Sequence, residues 1–380
     1  MGPLAGVKVV ELAGIGPGPF CGMMLADMGA DVIRVERASR VPAEMPAGSP
    51  PDVASRGKRS IGVDLKNPDG VEAVLRLIAD SDMLIEGFRP GVTERMGLGP
   101  DVCLQRNPAL VYGRMTGWGQ DGPYSMAAGH DINYIALSGV LSMIGRKDTG
   151  PVPPLNLVGD FGGGGMLLAF GALAALVSAR ATGQGQVVDA AMVDGAAVLA
   201  AMFSSMTASG MWTEERGSNM LDTGAHFYDV YECADGEYVS IGSIEPQFYS
   251  ILLDKLELDP SDLPSQMNRD DWPALKVKIA GLFKTKTRDE WSAIMEHTDI
   301  CYAPVLNWSE APSHPHNVAR STFIDIDGIT QPAPAPRFSA TPVAAPASPP
   351  WAGQNTDDTF ASFGFAADEI ASLRDSGAIA

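Results

Sequence analysis

The chain has 380 residues, 45% hydrophobic and 19% charged, with a formal net charge of −19. That length suits about two domains with a large core, and so acidic a chain is a poor partner for nucleic acid or an anionic membrane surface. Its four cysteines are scattered with no C-x-x-C pair, which argues against a disulfide framework or a metal site and fits a reduced, cytoplasmic setting.

Val7–Leu12 reads as a buried strand that runs straight on from the N-terminus, without the pattern of a secretory leader. A Gly/Pro turn at 14–19 leads to a short helix from Phe20 that stops at Gly29. Residues 31–36 form the next strand. Asn67-Pro68 signals a helix start, an N-cap followed by proline. Strands follow near 83–86 and 109–113. Strands alternating with helices predict a parallel sheet covered on both faces.

Gly162–Arg180 is almost wholly apolar and opens on four glycines, which let another backbone or a ligand approach closely. It reads as a buried helix, and no apolar run reads as long enough for membrane insertion. After about residue 224 the pattern changes. Asp235-Gly236 between two strand-like runs predicts a hairpin, with helices near 246–257, 272–284 and 288–297. Residues 331–352, rich in Pro and Ala, should be extended, and a weak helix signal covers 367–375. The expected organisation is a large α/β domain over 1–200 completed by 310–380, a small α+β domain over 225–300, and linkers at 201–224 and 301–309.

The first turn imitates a dinucleotide fingerprint. A strand leads into Gly14-Ile15-Gly16-Pro17-Gly18-Pro19, then a helix, then a strand ending at Glu36. The third glycine of the motif falls on Pro19 or Cys21, and Pro17 and Pro19 lack the N–H groups that would hold a pyrophosphate. A tight strand-to-helix turn is the better reading.

Arg34, Arg37, Arg40, Arg56, Lys58, Arg59 and Lys66 crowd together, and Arg89 and Arg95 follow. In an acidic chain this cluster suits a ligand with several phosphates, such as coenzyme A, since guanidinium forks match phosphate oxygens. A solvated charged face is the plainer alternative.

Five histidines are present. His297 reads as part of an amphipathic helix, His314 and His316 flank Pro315 in a loop, and His226 packs beside Phe227 and Tyr228. His130 differs, standing at the helix entry Gly129-His130-Asp131-Ile132-Asn133-Tyr134. Asp160, in Val158-Gly159-Asp160-Phe161, reads either as an N-cap or as an acid beside a helix N-terminus that could hold an enolate oxygen.

These stretches, with Pro153–Gly163, Glu11–Pro19, Arg89–Val92, Thr116–Gln120, Gly185–Gly195, Tyr231–Gly236 and Ile244–Tyr249, resemble the α-methylacyl-CoA racemases of the class III CoA-transferase superfamily. The resemblance covers nearly the whole chain. It implies a Rossmann-like large domain, a smaller α+β domain and an interlocked homodimer. It implies His130 and Asp160 as catalytic acid and base, with Glu245 pairing with the histidine from the other subunit. Arg37, Lys66, Arg89 and Arg95 match basic positions lining the CoA site, and Asp131, Tyr134, Ile15 and Ile244 match positions near the substrate. No cofactor is implied, because coenzyme A is part of the substrate.

The expected chemistry is removal and return of a thioester α-proton on opposite faces by His130 and Asp160. The methionines at 192, 202, 206, 211 and 220 could give the acyl chain an adaptable surface or merely fill the core. The rival reading is a class III CoA-transferase, in which Asp160 is a nucleophile and no histidine is required. A CoA-thioester binding protein without catalysis is a further alternative.

Overall fold

The computed structural model describes residues 2–380. The chain divides into two compact units. The first holds the residues up to Ser138, Leu155–Leu199 and Ser321–Ala380, and the second holds Gly139–Pro154 and Ala200–Arg320.

Among the described residues, the first unit carries a sheet of six parallel strands: β1 Lys8–Leu12, β2 Asp31–Arg37, β3 Arg59–Val63, β4 Met83–Glu86, β5 Val111–Thr116 and β6 Gln186–Ala191. Their order is β3-β2-β1-β4-β5-β6. Apolar runs feed both faces because successive side chains alternate. Val10, Ile33 and Leu84 join one core layer, while Val9, Val32 and Ile85 join the other.

Helix α1 (Pro17–Asp27) covers the second layer, burying Cys21 and Leu25. Helix α2 (Pro68–Ala79) covers the first with Val74, Leu77 and Ile78. It starts where the sequence signals it. The Asn67 side chain accepts the Asp69 N–H at 3.0 Å, and Pro68 occupies the position whose N–H would be unpaired anyway. A short helix, α3 (Asp131–Leu137), begins at His130.

The apolar segment forms a longer helix than the sequence suggests, α4 (Leu157–Thr182). Wide π-type turns over Leu157–Met166 pass into regular α-helix at Leu167. By length and composition it is apolar enough to cross a membrane, contrary to the expectation that no run reaches that length, yet 44% of its most apolar stretch is buried. Leu168, Ala172, Ala175, Leu176 and Ala179 face the core. Phe170 and Val177 point outward, 72% and 71% exposed, so the helix is only half buried.

The glycines at its start permit close crossings. A Cβ on Gly164 would stand 3.0 Å from the Pro17 Cβ, and one on Gly165 2.7 Å from the Pro17 carbonyl oxygen. The tightest crossing is with helix α5 (Met192–Leu199), where a Cβ on Gly195 would lie 1.8 Å from the Gly163 carbonyl oxygen.

The second unit is an antiparallel sheet of β7 (Tyr228–Glu232), β8 (Tyr238–Gly242) and β9 (Tyr302–Val305), with the turn at Asp235-Gly236. Helices α6 (Pro246–Lys255), α7 (Trp272–Phe283) and α8 (Arg288–Met295) pack on it around Phe227, Tyr231, Phe283 and Trp291. His297 lies beyond α8 with a positive φ of 62°, so it is not part of the helix expected there. Residues 201–224 and 301–309 fall within this unit; Met206 and Asn219 are buried, and β9 supplies an edge strand. Residues 139–154 join it too. Arg146 grips Asp229 at 2.9 Å, and Arg216 donates to the carbonyls of Ser142 and Thr149.

From Ser321 the chain is part of the first unit again. A hairpin of β10 (Phe323–Ile326) and β11 (Ile329–Pro332) precedes the extended Pro-rich run. Ile379 then bridges Val63 beside the β3 edge.

Replacing Gly195 by Ala should destabilise the protein by about 1–3 kcal/mol, because backbone blocks the new methyl group. Urea unfolding of Gly195→Ala against the parent measures it, and an unchanged midpoint would contradict the crossing.

Candidate active site

A cleft of about 550 Å³ opens at the carboxyl ends of β1, β4, β5 and β6. Its walls are the turn 14–19, the Glu86–Pro90 segment, the Thr116–Trp118 turn, and side chains from the starts of α3, α4 and α5. His130, Asp160, Tyr134, Arg89, Ile15 and Asn156 all line it.

Asp160 stands in the first turn of α4, four residues after Asn156, so the two share a helical face. Asn156 Nδ2 donates to Asp160 Oδ2 at 3.1 Å. The Asp160 N–H donates to Asp131 Oδ2 at 2.7 Å. That N–H is therefore taken and is not among the groups of the helix N-terminus left to hold an enolate oxygen. Nor is Asp160 an N-cap, since the helix begins before it.

Asp131 is 5% exposed, and its Oδ1 has no hydrogen-bond partner among the described residues. Gly159 makes room for it, since a Cβ there would meet Asp131 Oδ2 at 2.5 Å. Burial pushes the Asp160 carboxyl up from its ordinary range, and the Asp131 charge adds to the rise; the Asn156 hydrogen bond and the His130 charge oppose it.

His130 is exposed at the rim, where its backbone N–H donates to Asn133 Oδ1 at 3.0 Å. Tyr134 is buried beneath it. Its ring packs edge-on to Trp118 at 4.7 Å and occupies the space over Gly117 and Gly129 that any side chain there would need. Burial raises the Tyr134 hydroxyl above its ordinary pKa, Asp160 adding and Arg89 opposing.

The basic cluster separates into two groups, apart from Arg40, which is exposed in the short turn after β2. Arg34 pairs with Glu11 and Glu36, Lys58 with Glu11, Arg56 with Asp27 and Arg59 with Asp31. Arg34, Arg56 and Lys58 are buried. These four are structural ion pairs, which corrects their reading as phosphate ligands. Glu36, the apparent ribose acid of a dinucleotide site, is occupied by Arg34 at 2.7 Å.

Arg37, Lys66, Arg89 and Arg95 remain exposed, with no ion pair among the described residues. Arg37 ends β2, Lys66 follows β3, and Arg89 and Arg95 follow β4, all on the carboxyl edge of one sheet. Of these four, Arg89 lines the cleft.

Ile244 and Glu245 belong to the second unit, Glu245 preceding α6 as its N-cap residue. His226 is also there, fully buried, with Nε2 2.8 Å from the Tyr249 hydroxyl and burial holding its pKa down to about 4. His314 faces Glu296 at 3.1 Å. Sequence reading missed the role of Asn156, although its spacing of four from Asp160 was the available signal.

The chain matches the model of CoA-transferase family III over residues 4–356. It is 48% identical over 372 residues to the α-methylacyl-CoA racemase of Mus musculus, covering 97% of this chain and 96% of that protein. With the Homo sapiens α-methylacyl-CoA racemase it shares 47% over 375 residues, again 97% and 96%. A crystal structure of a CAIB/BAIF family protein from Brucella suis superposes with a TM-score of 0.82 at 27% identity, covering 95% of this chain and 99% of that one. Sheet, cleft and sequence agree: the chain belongs to CoA-transferase family III.

Proposed function

We propose that this chain interconverts the R and S forms of 2-methylacyl-CoA thioesters by moving the α-proton through an enolate. One observation carries the reading: an imidazole, His130, and a carboxyl group, Asp160, line one cleft in a chain that closely resembles two α-methylacyl-CoA racemases. Racemisation needs an acid/base group on each face of the reacting carbon. His130 takes the proton from one face while protonated Asp160 delivers one to the other, and the roles exchange in reverse. The raised pKa of Asp160 suits the protonated role.

Arg37, Lys66, Arg89 and Arg95 would hold the CoA phosphates along the carboxyl edge of the sheet. Ile15 and Tyr134 would bound the acyl group and Asp131 would support Asp160. No cofactor beyond the CoA of the substrate is called for. Pro17 and Pro19 leave the α1 N-terminus short of the N–H groups a dinucleotide needs.

A homodimer would bring Glu245 and Ile244 of the partner subunit to the site, Glu245 orienting His130 and stabilising its charged form. The outward apolar side chains of the first unit, Phe170, Val177, Leu155 and Val198, support such burial. Free cysteines, three of them buried, suit a reducing compartment such as the cytoplasm. Sedimentation should give twice the 39.9 kDa of one chain, and a monomer at micromolar concentration would remove the dimer.

Incubating one enantiomer of a 2-methylacyl-CoA in deuterium oxide, with no carboxylate acceptor, tests the activity. Racemisation with solvent deuterium at the α-carbon is expected, and His130→Ala or Asp160→Ala should slow it roughly 10²–10⁴-fold. Strict dependence on an acceptor would select the transferase instead.

The raised Asp160 pKa also has a stability consequence. The folded state favours the protonated carboxyl, so the benefit is full below the unfolded value near 3.8 and is lost as pH rises through the folded value. Asp160→Asn should therefore raise Tm at pH 7, with the gain closing below about pH 4. A variant no more stable than its parent at pH 7 would deny the strain.

A further inference from the structure

Glu11, Arg34 and Lys58 are 0%, 7% and 5% exposed, inside the first unit. Glu11 Oε1 accepts from Arg34 Nη1, and Oε2 accepts from Lys58 Nζ at 2.6 Å. Burying three charges is a costly way to gain stability, since an apolar trio of similar volume would serve as well. The donors these cations have to spare show what the arrangement holds.

Lys58 Nζ also donates to the Pro19 carbonyl at 2.8 Å, and Arg34 Nη2 to the Gly14 carbonyl at 3.1 Å. These carbonyls are the two ends of the turn 14–19. The second end lies in the first turn of α1, where Pro17 and Pro19 take positions whose N–H would be unpaired anyway, and the Phe20 N–H donates to the Gly16 carbonyl at 3.2 Å. The turn is the wall against which Asp160 sits: a Cβ on Gly16 would lie 3.6 Å from Asp160 Oδ2. Pro17 backs Gly164 and Gly165 in the helix that carries Asp160. Gly22 keeps the space open, since a Cβ there would stand 1.9 Å from Glu11 Oε2.

We infer that Glu11, Arg34 and Lys58 form a buried positioning clamp that fixes the turn 14–19 against Asp160 and so sets where the carboxyl group meets the reacting carbon. The effect on rate rests on the racemase reading; the geometry of the clamp does not. The three residues are positioning residues, acting through the turn and touching no substrate. Their action differs from general stabilisation. Loosening the turn displaces Asp160 while leaving Arg37, Lys66 and Arg89 free to bind the CoA.

The test compares Lys58→Met, which keeps the apolar stem and removes the donor to Pro19, with Arg34→Lys, which keeps a cation beside Glu11 and loses the guanidinium fork reaching Gly14. Asp27→Asn, at the separate buried pair with Arg56, serves as a control for stability alone. Both clamp variants should lower kcat about tenfold or more, since a misplacement near 1 Å can cost ~10²-fold, with KM within twofold. Asp27→Asn should lower Tm and leave kcat unchanged per folded site. Clamp variants that keep the parental kcat, or lose no more than the control at equal loss of Tm, overturn the inference. Should Lys58→Met fail to fold, Arg34→Lys decides. Should the parent protein not racemise at all, the racemase reading falls. Crystal structures of the variants then decide the clamp by themselves: a displaced turn supports it and an unmoved turn overturns it.

Discussion

Strands β1 and β4 are parallel neighbours whose following segments leave toward opposite faces of the sheet. After β1 the chain enters α1, with Cys21 and Leu25 in one core layer; after β4 it leads to Leu98 and Cys103 in the other. A gap must open between the two departing backbones at the carboxyl ends of the strands, and ligands of open α/β sheets bind in such a gap. The cleft that holds His130 and Asp160 lies there. The topology is that of a dinucleotide-binding fold, yet two prolines in the first turn withdraw the N–H groups that fold uses on phosphate. The crevice is kept, and exposed basic side chains stand along the carboxyl edge of the sheet.

Two kinds of constraint build the walls of that gap. One is the absence of side chains: Gly163, Gly164 and Gly165 let α4 lie against α1 and α5 at distances no Cβ allows. That brings Asp160 to the first turn of a helix wedged behind the turn 14–19. The other is buried charge. Glu11 sits one residue before the carboxyl end of β1 with two cations on it, and each cation also carries one end of the turn. Close packing fixes the depth of the turn and hydrogen bonds fix its two ends, so the wall facing Asp160 has little freedom left.

Much of the fold was legible because its signals are local. Val7–Leu12, Asn67-Pro68 and Asp235-Gly236 each name their element from a few adjacent residues. Strand β3 was not legible: Arg59-Ser60-Ile61-Gly62-Val63 reads as the end of a basic run, and its strand character comes from pairing with β2. Strand β9 was hidden by Pro304, which an edge position tolerates. The basic cluster misled for the same reason. Apart from the Arg34–Glu36 pair two residues apart, Arg34, Arg56, Lys58 and Arg59 find their carboxylates 23 to 47 residues away in sequence, a separation no local pattern announces. His130 and Asp160 could be nominated from motif and resemblance; that they line one cleft, and that Asp131 and Asn156 flank the carboxyl, needed coordinates.

In the proposed racemisation Asp160 serves as acid in one direction and as base in the other. An ordinary aspartate is ionised at neutral pH and a poor proton donor. The surroundings of Asp160 work against that ionisation. Half-burial and the carboxylate of Asp131, itself buried with one oxygen unpaired among the described residues, push the Asp160 carboxyl upward, while Asn156 and His130 restrain it. Asp131 therefore acts twice. It fixes the Asp160 backbone by accepting its N–H, and its charge adds to the rise in the proton affinity of the side chain. A neutral residue could do the first; the second adds to the rise that burial of the carboxyl group already produces.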